Sequence, residues 1–382
     1  MTATMSSAAD LHFIPEVMFG RGVLERVGEA ARGYGRRALV VTDPGMGPTG
    51  LVERVTGLLA RAGVESVVFD TIRPNPTVGN VEAGLAAGAD REISLLVSIG
   101  GGSAHDCAKT IALVAANGGD VREFEGLDRS PHRGLPLIAV NTTAGSGADV
   151  SRFAVITDPA RHKKMIIADR HLMPRLAIND PLTTVGLPRA VTMGSGLDAL
   201  THAIEAYVST SASEVSDLFA LRAVELAGRH LVRAVRMGSD LDAREGMLLA
   251  SLLAGLAINS ASVGAVHALA HQLGGRYDLA HGLCNGILLP VIVEFNLSAT
   301  PERYGRLADA LGLRGGRTGH GLPRRLRALG DEVGLPAGLA QVGVHSADLD
   351  DLADGALADM CMATNPRPMS RADVISAYER AL

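Results

Sequence analysis

Residues 94–113 read SLLVSIGGGSAHDCAKTIAL, and the fold turns on them. A near-continuous apolar run, 94–99, meets three glycines, Gly100, Gly101 and Gly102, followed by Ser103 and a helical pattern through Asp106, Lys109 and Leu113. A strand apolar on both faces belongs in a parallel sheet covered by helices on both sides. Glycines, lacking a Cβ, let backbone N–H groups come close to a ligand, and a helix N-terminus adds partial positive charge. One glycine is enough for an ordinary strand-to-helix turn. Three in a row, each costly in backbone entropy, point to a turn shaped for a pyrophosphate.

Outward from this stretch, 37–42 (RALVVT), 65–70 (ESVVFD) and 137–141 (LIAVN) are further β-branched runs, with helical periods over 51–62 and 78–89. Strands alternating with helices predict βαβ units. Three later runs, 153–157, 165–168 and 176–179, are spaced like hairpins near a sheet edge. Past Leu187-Pro188 strand-like runs nearly vanish, and helices are expected over 190–208, 213–234, 242–260 and 266–273, then on to Leu382. The expectation is an α/β domain with a Rossmann-like parallel sheet over 1–187 and an all-α domain over 188–382. The Gly/Arg-rich stretch 313–327 reads as a solvated loop and helix start.

Composition bounds the function classes. The chain has 382 residues, 47% of them hydrophobic, too many for one core and too apolar for disorder. A net charge of −5 argues against a nucleic-acid partner. Three cysteines without CxxC spacing make neither a disulfide framework nor a thiolate knuckle. No apolar run approaches the roughly 20 residues of a membrane span, and the N-terminal MTATMSSAAD lacks the pattern of a secretory signal. A soluble, cytoplasmic protein with no membrane partner is expected.

Several motifs carry chemistry. Gly45-Met-Gly47-Pro-Thr-Gly50 matches G-x-G-x-x-G after a strand, but Pro48 removes an N–H that a phosphate would use, so the triple glycine ranks above it. Asp43 ends the first strand: it suits a ribose diol, yet taken alone it reads as a turn-forming Asp before Pro44. The 141–147 segment (NTTAGSG) places small hydroxyl and glycine residues after another strand, as a ligand crevice or a plain polar loop. Asp198 and His202 are four apart, hence on one helix face, and His267 and His271 repeat that spacing with His281 beyond the Gly274-Gly275 break. One carboxylate and several imidazoles from neighbouring helices suit a first-row divalent cation. A lone histidine would read as core; this set does not. Ala268 stands where H-E-x-x-H would place its general base.

With these residues in view the chain resembles the group III, iron-dependent alcohol dehydrogenases, a family of dehydroquinate-synthase-like architecture. The likeness runs nearly end to end, through PNPT (74–77), GGGSAHDCAK (100–109), TTAGSG (142–147), GLDALTHAIEAYVS (196–209), HALAHQLGGRYDLAHGLCN (267–285) and CMATNPRP (361–368). It implies hydride transfer between NAD(H) and a small primary alcohol or its aldehyde, with Fe2+, or Zn2+ or Mn2+, as cofactor, in a homodimer or larger homo-oligomer. By the same resemblance Asp198, His202, His267 and His281 are metal ligands, and His271 lies near nicotinamide and substrate. Gly100, Gly101, Gly102 and Ser103 would cradle the pyrophosphate with Asp106 behind them. Asp43 would meet the adenosine ribose, and Thr142, Thr143 and Lys164 would line the cofactor cleft. Phe153, Val155, Ile258 and Cys361 are the implied substrate pocket. One departure stands out: the family commonly reads TAGTGSEVT, whereas this chain has Ala148-Asp149-Val150-Ser151, its carboxylate one carbon shorter. Two alternatives remain, a dehydroquinate-synthase-like lyase and a reductase for an anionic aldehyde anchored by Arg152 or Arg276.

Overall fold

A computed structural model describes residues 15–161, 163–313 and 318–382. The N-terminal decapeptide and part of the 313–327 stretch therefore lie outside the described residues. The chain divides into one compact unit that ends at Val185 and a second from Gly186 to Leu382.

The first unit is built on strands β1 (Glu16–Phe19), β2 (Arg37–Thr42), β3 (Glu65–Phe69), β4 (Leu95–Gly100), β5 (Gly126–Leu127), β6 (Leu137–Asn141), β7 (Phe153–Asp158), β8 (Lys163–Ala168) and β9 (Leu176–Asn179). Its helices are α1 (Val27–Tyr34), α2 (Leu51–Arg61), α3 (Val78–Gly88) and α4 (Gly102–Asn117). Six strands form one sheet in the order β1-β9-β6-β4-β2-β3, every pair parallel. Alternate side chains feed opposite cores, as the two-residue period of a strand requires. Ala38, Val40, Leu95 and Val97 pack with α1 and α2, whereas Leu39, Val41 and Leu96 pack with α3 and α4. The chain runs outward from β2 to β3, then returns to place β4 on the other side of β2. That reversal opens a crevice at the carboxyl ends of β2 and β4, the usual ligand position in such sheets.

The three late strands do not behave alike. β7 and β8 pair antiparallel in a small separate sheet with β5, as hairpin spacing suggests. β9 instead lies inside the main sheet between β1 and β6, and all four of its residues are buried. Spacing along the chain shows how close two strands are in sequence, not which edge each joins. The apolar Leu176-Ala177-Ile178 run belongs where helices cover both faces, and the buried Asn179 that ends it is hydrogen-bonded to Asp149 and Asn141.

The second unit contains, among the described residues, helices α5 (Arg189–Val208), α6 (Glu214–Arg236), α7 (Leu241–Ala261), α8 (Ala265–Tyr277), α9 (His281–Asn296), α10 (Pro301–Ala310), α11 (Leu322–Val333), α12 (Leu349–Ala358) and α13 (Arg371–Ala381). Ser213 begins α6 with a reciprocal cap to Ser216, and Ser370 begins α13 in the same way with Asp373. From Gly196 to Val208 every residue of α5 is buried, because α6, α7 and α9 all pack on it. No single described helix is long and apolar enough to cross a membrane.

Candidate active site

In the first unit the glycine turn forms the strand-to-helix junction that its sequence suggests. Gly100 ends β4 at φ 150°, a conformation side chains disfavour, and α4 begins at Gly102. A Cβ on Gly100 would lie 2.7 Å from Ala104 Cβ and 3.3 Å from Asp43 Oδ2. The 142–147 loop lies against this turn. Thr142 N–H donates to the Gly100 carbonyl at 3.0 Å, and Thr143 N–H donates to Asn141 Oδ1 at 3.1 Å. The Thr142 hydroxyl is buried without a hydrogen-bond partner, which suits a site with a missing polar ligand. Ser103 is half-buried in the first turn of α4. These features fit a pyrophosphate at the helix N-terminus.

The surrounding groups are mostly held by protein partners. Asp106 Oδ2 accepts from Val155 N–H at 3.1 Å, and its Oδ1 lies 3.2 Å from the ammonium of Lys109, which is itself fully buried. Lys109 also donates to the Ser151 and Phe153 carbonyls, so the Asp106–Lys109 pair fastens β7 to α4 behind the glycines. Lys164 Nζ donates to Asn75 Oδ1 at 2.8 Å. Asp43 Oδ1 accepts from Gly45 N–H at 2.9 Å, and residues Pro44–Thr49 form a 3-10 turn. The turn-forming reading of Asp43 is therefore correct. The same side chain also borders a cavity of about 250 Å³ together with Thr42, Val68 and Asp70. Asp149, the shortened carboxylate, reaches a partner: Asn179 Nδ2 donates to it at 2.8 Å, and Asn141 Nδ2 donates to Asn179 Oδ1 at 3.0 Å. Burial pushes the Asp149 carboxyl up from its ordinary value.

In the second unit the i,i+4 pairs converge. Asp198 and His202 stand one turn apart on α5, His267 and His271 on α8, and His281 opens α9. Gly282 makes the approach possible: a Cβ there would fall 2.0 Å from the Gly194 carbonyl oxygen and 3.2 Å from Asp198 Cβ. Asp198 Oδ1 lies 3.9 Å from His202 Nε2, 3.8 Å from His267 Nε2 and 3.6 Å from His281 Nε2. The donor atoms of Asp198, His267 and His281 all fall within 4.8 Å of one another. His202 stands beside them, its ring stacked on His267 with centroids 4.6 Å apart and its Nδ1 buried without a partner. Electron-pair donors gathered this closely repel one another unless a cation or a hydrogen-bond donor sits among them. One carboxylate and three imidazoles fit a divalent first-row ion.

Three residues not singled out in the sequence complete the arrangement. Glu205 Oε2 meets His267 Nδ1 at 2.5 Å while its Oε1 accepts from Val266 N–H at 2.6 Å. Burial pushes the Glu205 carboxyl up to about 7. Burial, with His202 and His271 nearby, holds His267 well below the ordinary imidazole range, so it stays in the neutral form that ligates metals. Asp359 Oδ2 meets His271 Nδ1 at 2.8 Å, and its Oδ1 accepts from Cys361 N–H at 2.9 Å. Burial raises the Asp359 carboxyl, but the bonds from His271 and Cys361 outweigh it and hold the group below its usual range. Asn285 stands one turn beyond His281, with Nδ2 2.8 Å from Asp198 Oδ1. Spacing from His281 was the only sequence signal for Asn285; Glu205 and Asp359 had none.

Of the implied pocket residues, Phe153 and Val155 lie half-buried on β7, Ile258 is buried on α7, and Cys361 is buried beside Asp359. The Arg152 guanidinium lies 5.3 Å from the Phe153 ring centroid. Arg276 is exposed and paired with Asp348 and Asp351.

A parallel sheet with a glycine turn at its reversal point, and a helical unit holding convergent imidazoles, suit a dinucleotide- and metal-dependent enzyme. Residues 15–181 match the iron-containing alcohol dehydrogenase family, and residues 192–382 match the family's C-terminal region. Alcohol dehydrogenase 4 of Schizosaccharomyces pombe is 44% identical, covering 100% of this chain and 91% of its own. The NAD-dependent methanol dehydrogenase of Bacillus methanolicus is 40% identical, covering 97% of this chain and 99% of its own. The crystal structure of a 1,3-propanediol oxidoreductase superposes with a TM-score of 0.96 at 38% identity, covering 98% of this chain and 100% of that one. The chain belongs to the iron-containing alcohol dehydrogenase family. It is an NAD(H)- and metal-dependent enzyme interconverting alcohols and aldehydes.

Proposed function

We propose that the chain oxidises a small, uncharged primary alcohol, or reduces its aldehyde, with Asp198, His202, His267 and His281 holding one divalent cation. The convergence of these four side chains, three buried and His281 half-buried, on Asp198 Oδ1 is the observation that carries this reading. When bound, the cation supplies Lewis acidity toward the substrate oxygen and the nicotinamide supplies the hydride acceptor or donor. Glu205 orients His267 by accepting from Nδ1, which keeps the Nε2 lone pair facing Asp198. Asp359 does the same for His271, fixing one ring nitrogen and leaving the other to hold or pass a proton. Gly100, Gly101, Gly102 and Ser103 offer the pyrophosphate their N–H groups. Asp43 takes the adenosine ribose and disfavours a 2′-phosphate, and Thr142, Thr143 and Lys164 complete the cofactor contacts. Phe153, Val155, Ile258 and Cys361 select an aliphatic substrate. On this reading residues 1–187 bind the dinucleotide and 188–382 the metal. Since Arg276 is already paired at the surface, it supports no anionic substrate.

Self-association and a cytoplasmic location belong to the same reading. Leu218 is 72% exposed on α6 beside exposed Val215, and all three cysteines are buried thiols suited to a reducing compartment.

The test is an anaerobic, metal-supplemented NAD(H) assay over short alcohols, neutral aldehydes and one anionic aldehyde, run with wild type and His267→Ala. Wild type should prefer the neutral aldehydes. The variant should stay folded while losing stoichiometric metal and at least about a thousandfold in turnover. Metal retained by His267→Ala, or preference for the anion, contradicts the assignment.

A further inference from the structure

We propose that Asn285 is the metal-free site's stand-in for the cation, an amide that holds the ligands together and gives way when metal enters. The inference rests on the metal-site reading above. Asn285 is fully buried on α9, and its Nδ2 lies 2.8 Å from Asp198 Oδ1, 3.2 Å from His267 Nε2 and 3.1 Å from His281 Nε2. A primary amide has two N–H donors, so at most two of these three acceptors are satisfied at once. Its Oδ1, by contrast, is buried with no hydrogen-bond partner. The N–H end faces the cluster for an electrostatic reason. Turning the oxygen inward would add one more electron-pair donor to several already 3.6–3.9 Å apart.

The exchange with metal follows from lone-pair counting. Each imidazole Nε2 has one lone pair. Glu205 faces His267 Nδ1, and with the ring proton on that nitrogen the Nε2 pair either accepts from Asn285 or ligates a cation. The same choice faces His281 Nε2. Metal entry therefore removes the amide's imidazole acceptors and leaves Asp198 as its remaining partner, since a carboxylate oxygen has a pair to spare. Asn285 thus stabilises the metal-free state more than the loaded one. It keeps the ligand set assembled before the ion arrives and lowers affinity in doing so.

The experiment compares thermal unfolding of chelated and Co2+-loaded protein for wild type, Asn285→Leu and Asn285→Ala, with Co2+ affinity read by chelator competition. Lost packing lowers both states alike and cancels in the difference; two variants of different volume guard against a single failure to fold. The expected result is a wider gap between loaded and metal-free midpoints in both variants, with Co2+ held about tenfold more tightly, the scale of one or two hydrogen bonds to a charged or strongly polar group. An unchanged gap makes Asn285 merely structural and overturns the proposal. So does a narrower gap with weaker binding, which would make its oxygen a ligand. Wild type that takes up no Co2+ would instead overturn the metal-site reading itself, and this inference with it.

Discussion

Single residues in this chain often serve two masters, and Asp43 shows why. Its one carboxylate caps the 3-10 turn after β2 through Oδ1, while Oδ2 faces Gly100 across the sheet. The bond from Gly45 establishes the turn reading, and the second oxygen is the one the proposed ribose contact would use. His105 shows the opposite case, a histidine with no part in the site. It is wholly buried, bonded from Nδ1 to Ser98 Oγ at 2.8 Å with Nε2 unpartnered. Burial, aided by the Lys109 charge, lowers it to about 3. The unfolded chain binds a proton there near pH 6.5 while the native chain does not, so native stability falls as pH drops from about 6.5 toward 3. The slope from this one group is at most about 1.4 kcal/mol per pH unit. Denaturant unfolding at pH 7, 5 and 4 should show His105→Gln losing less stability over that window than wild type. Parallel losses would remove the assignment.

At the scale of elements, what was legible depended on whether partners lay within one turn or one strand. The strand–glycine–helix stretch was readable because its parts are chain neighbours. Leu176–Asn179 was not: its position between β1 and β6 depends on pairing across the sheet. Gly100 joins both kinds of information, a positive φ set locally and a crowded site set by α4 and Asp43. Gly100→Ala should therefore destabilise the chain by about 1–3 kcal/mol, through backbone strain plus overlap with Ala104. NAD affinity should fall as well. Equilibrium unfolding and cofactor titration check the two effects separately; an unaffected midpoint would show that the turn relaxes freely.

For the whole molecule, the family, reaction type and cofactors agree with composition and motif reading, while assembly remains a separate question. Val215 and Leu218 of α6 are exposed, and the self-association proposed above would cover them. Light scattering of the metal-loaded protein should give at least twice the 39.6 kDa chain mass. A concentration-independent single-chain mass would refute it.

By itself the sequence determined the local chemistry: an apolar strand, a glycine turn, and carboxylate and imidazole pairs set one helical turn apart. These follow from backbone periods of two and 3.6 residues, which operate over a few neighbours. Only the tertiary structure decided that Asp198 meets His281 across 83 residues, that Glu205 meets His267, that Asp359 meets His271, and that Asn285 turns its amide toward Asp198. Those contacts depend on how closely α5, α8 and α9 approach, which the missing side chain of Gly282 permits. Helical periodicity gives the direction of a side chain from its own axis, whereas helix packing sets the distance to the next.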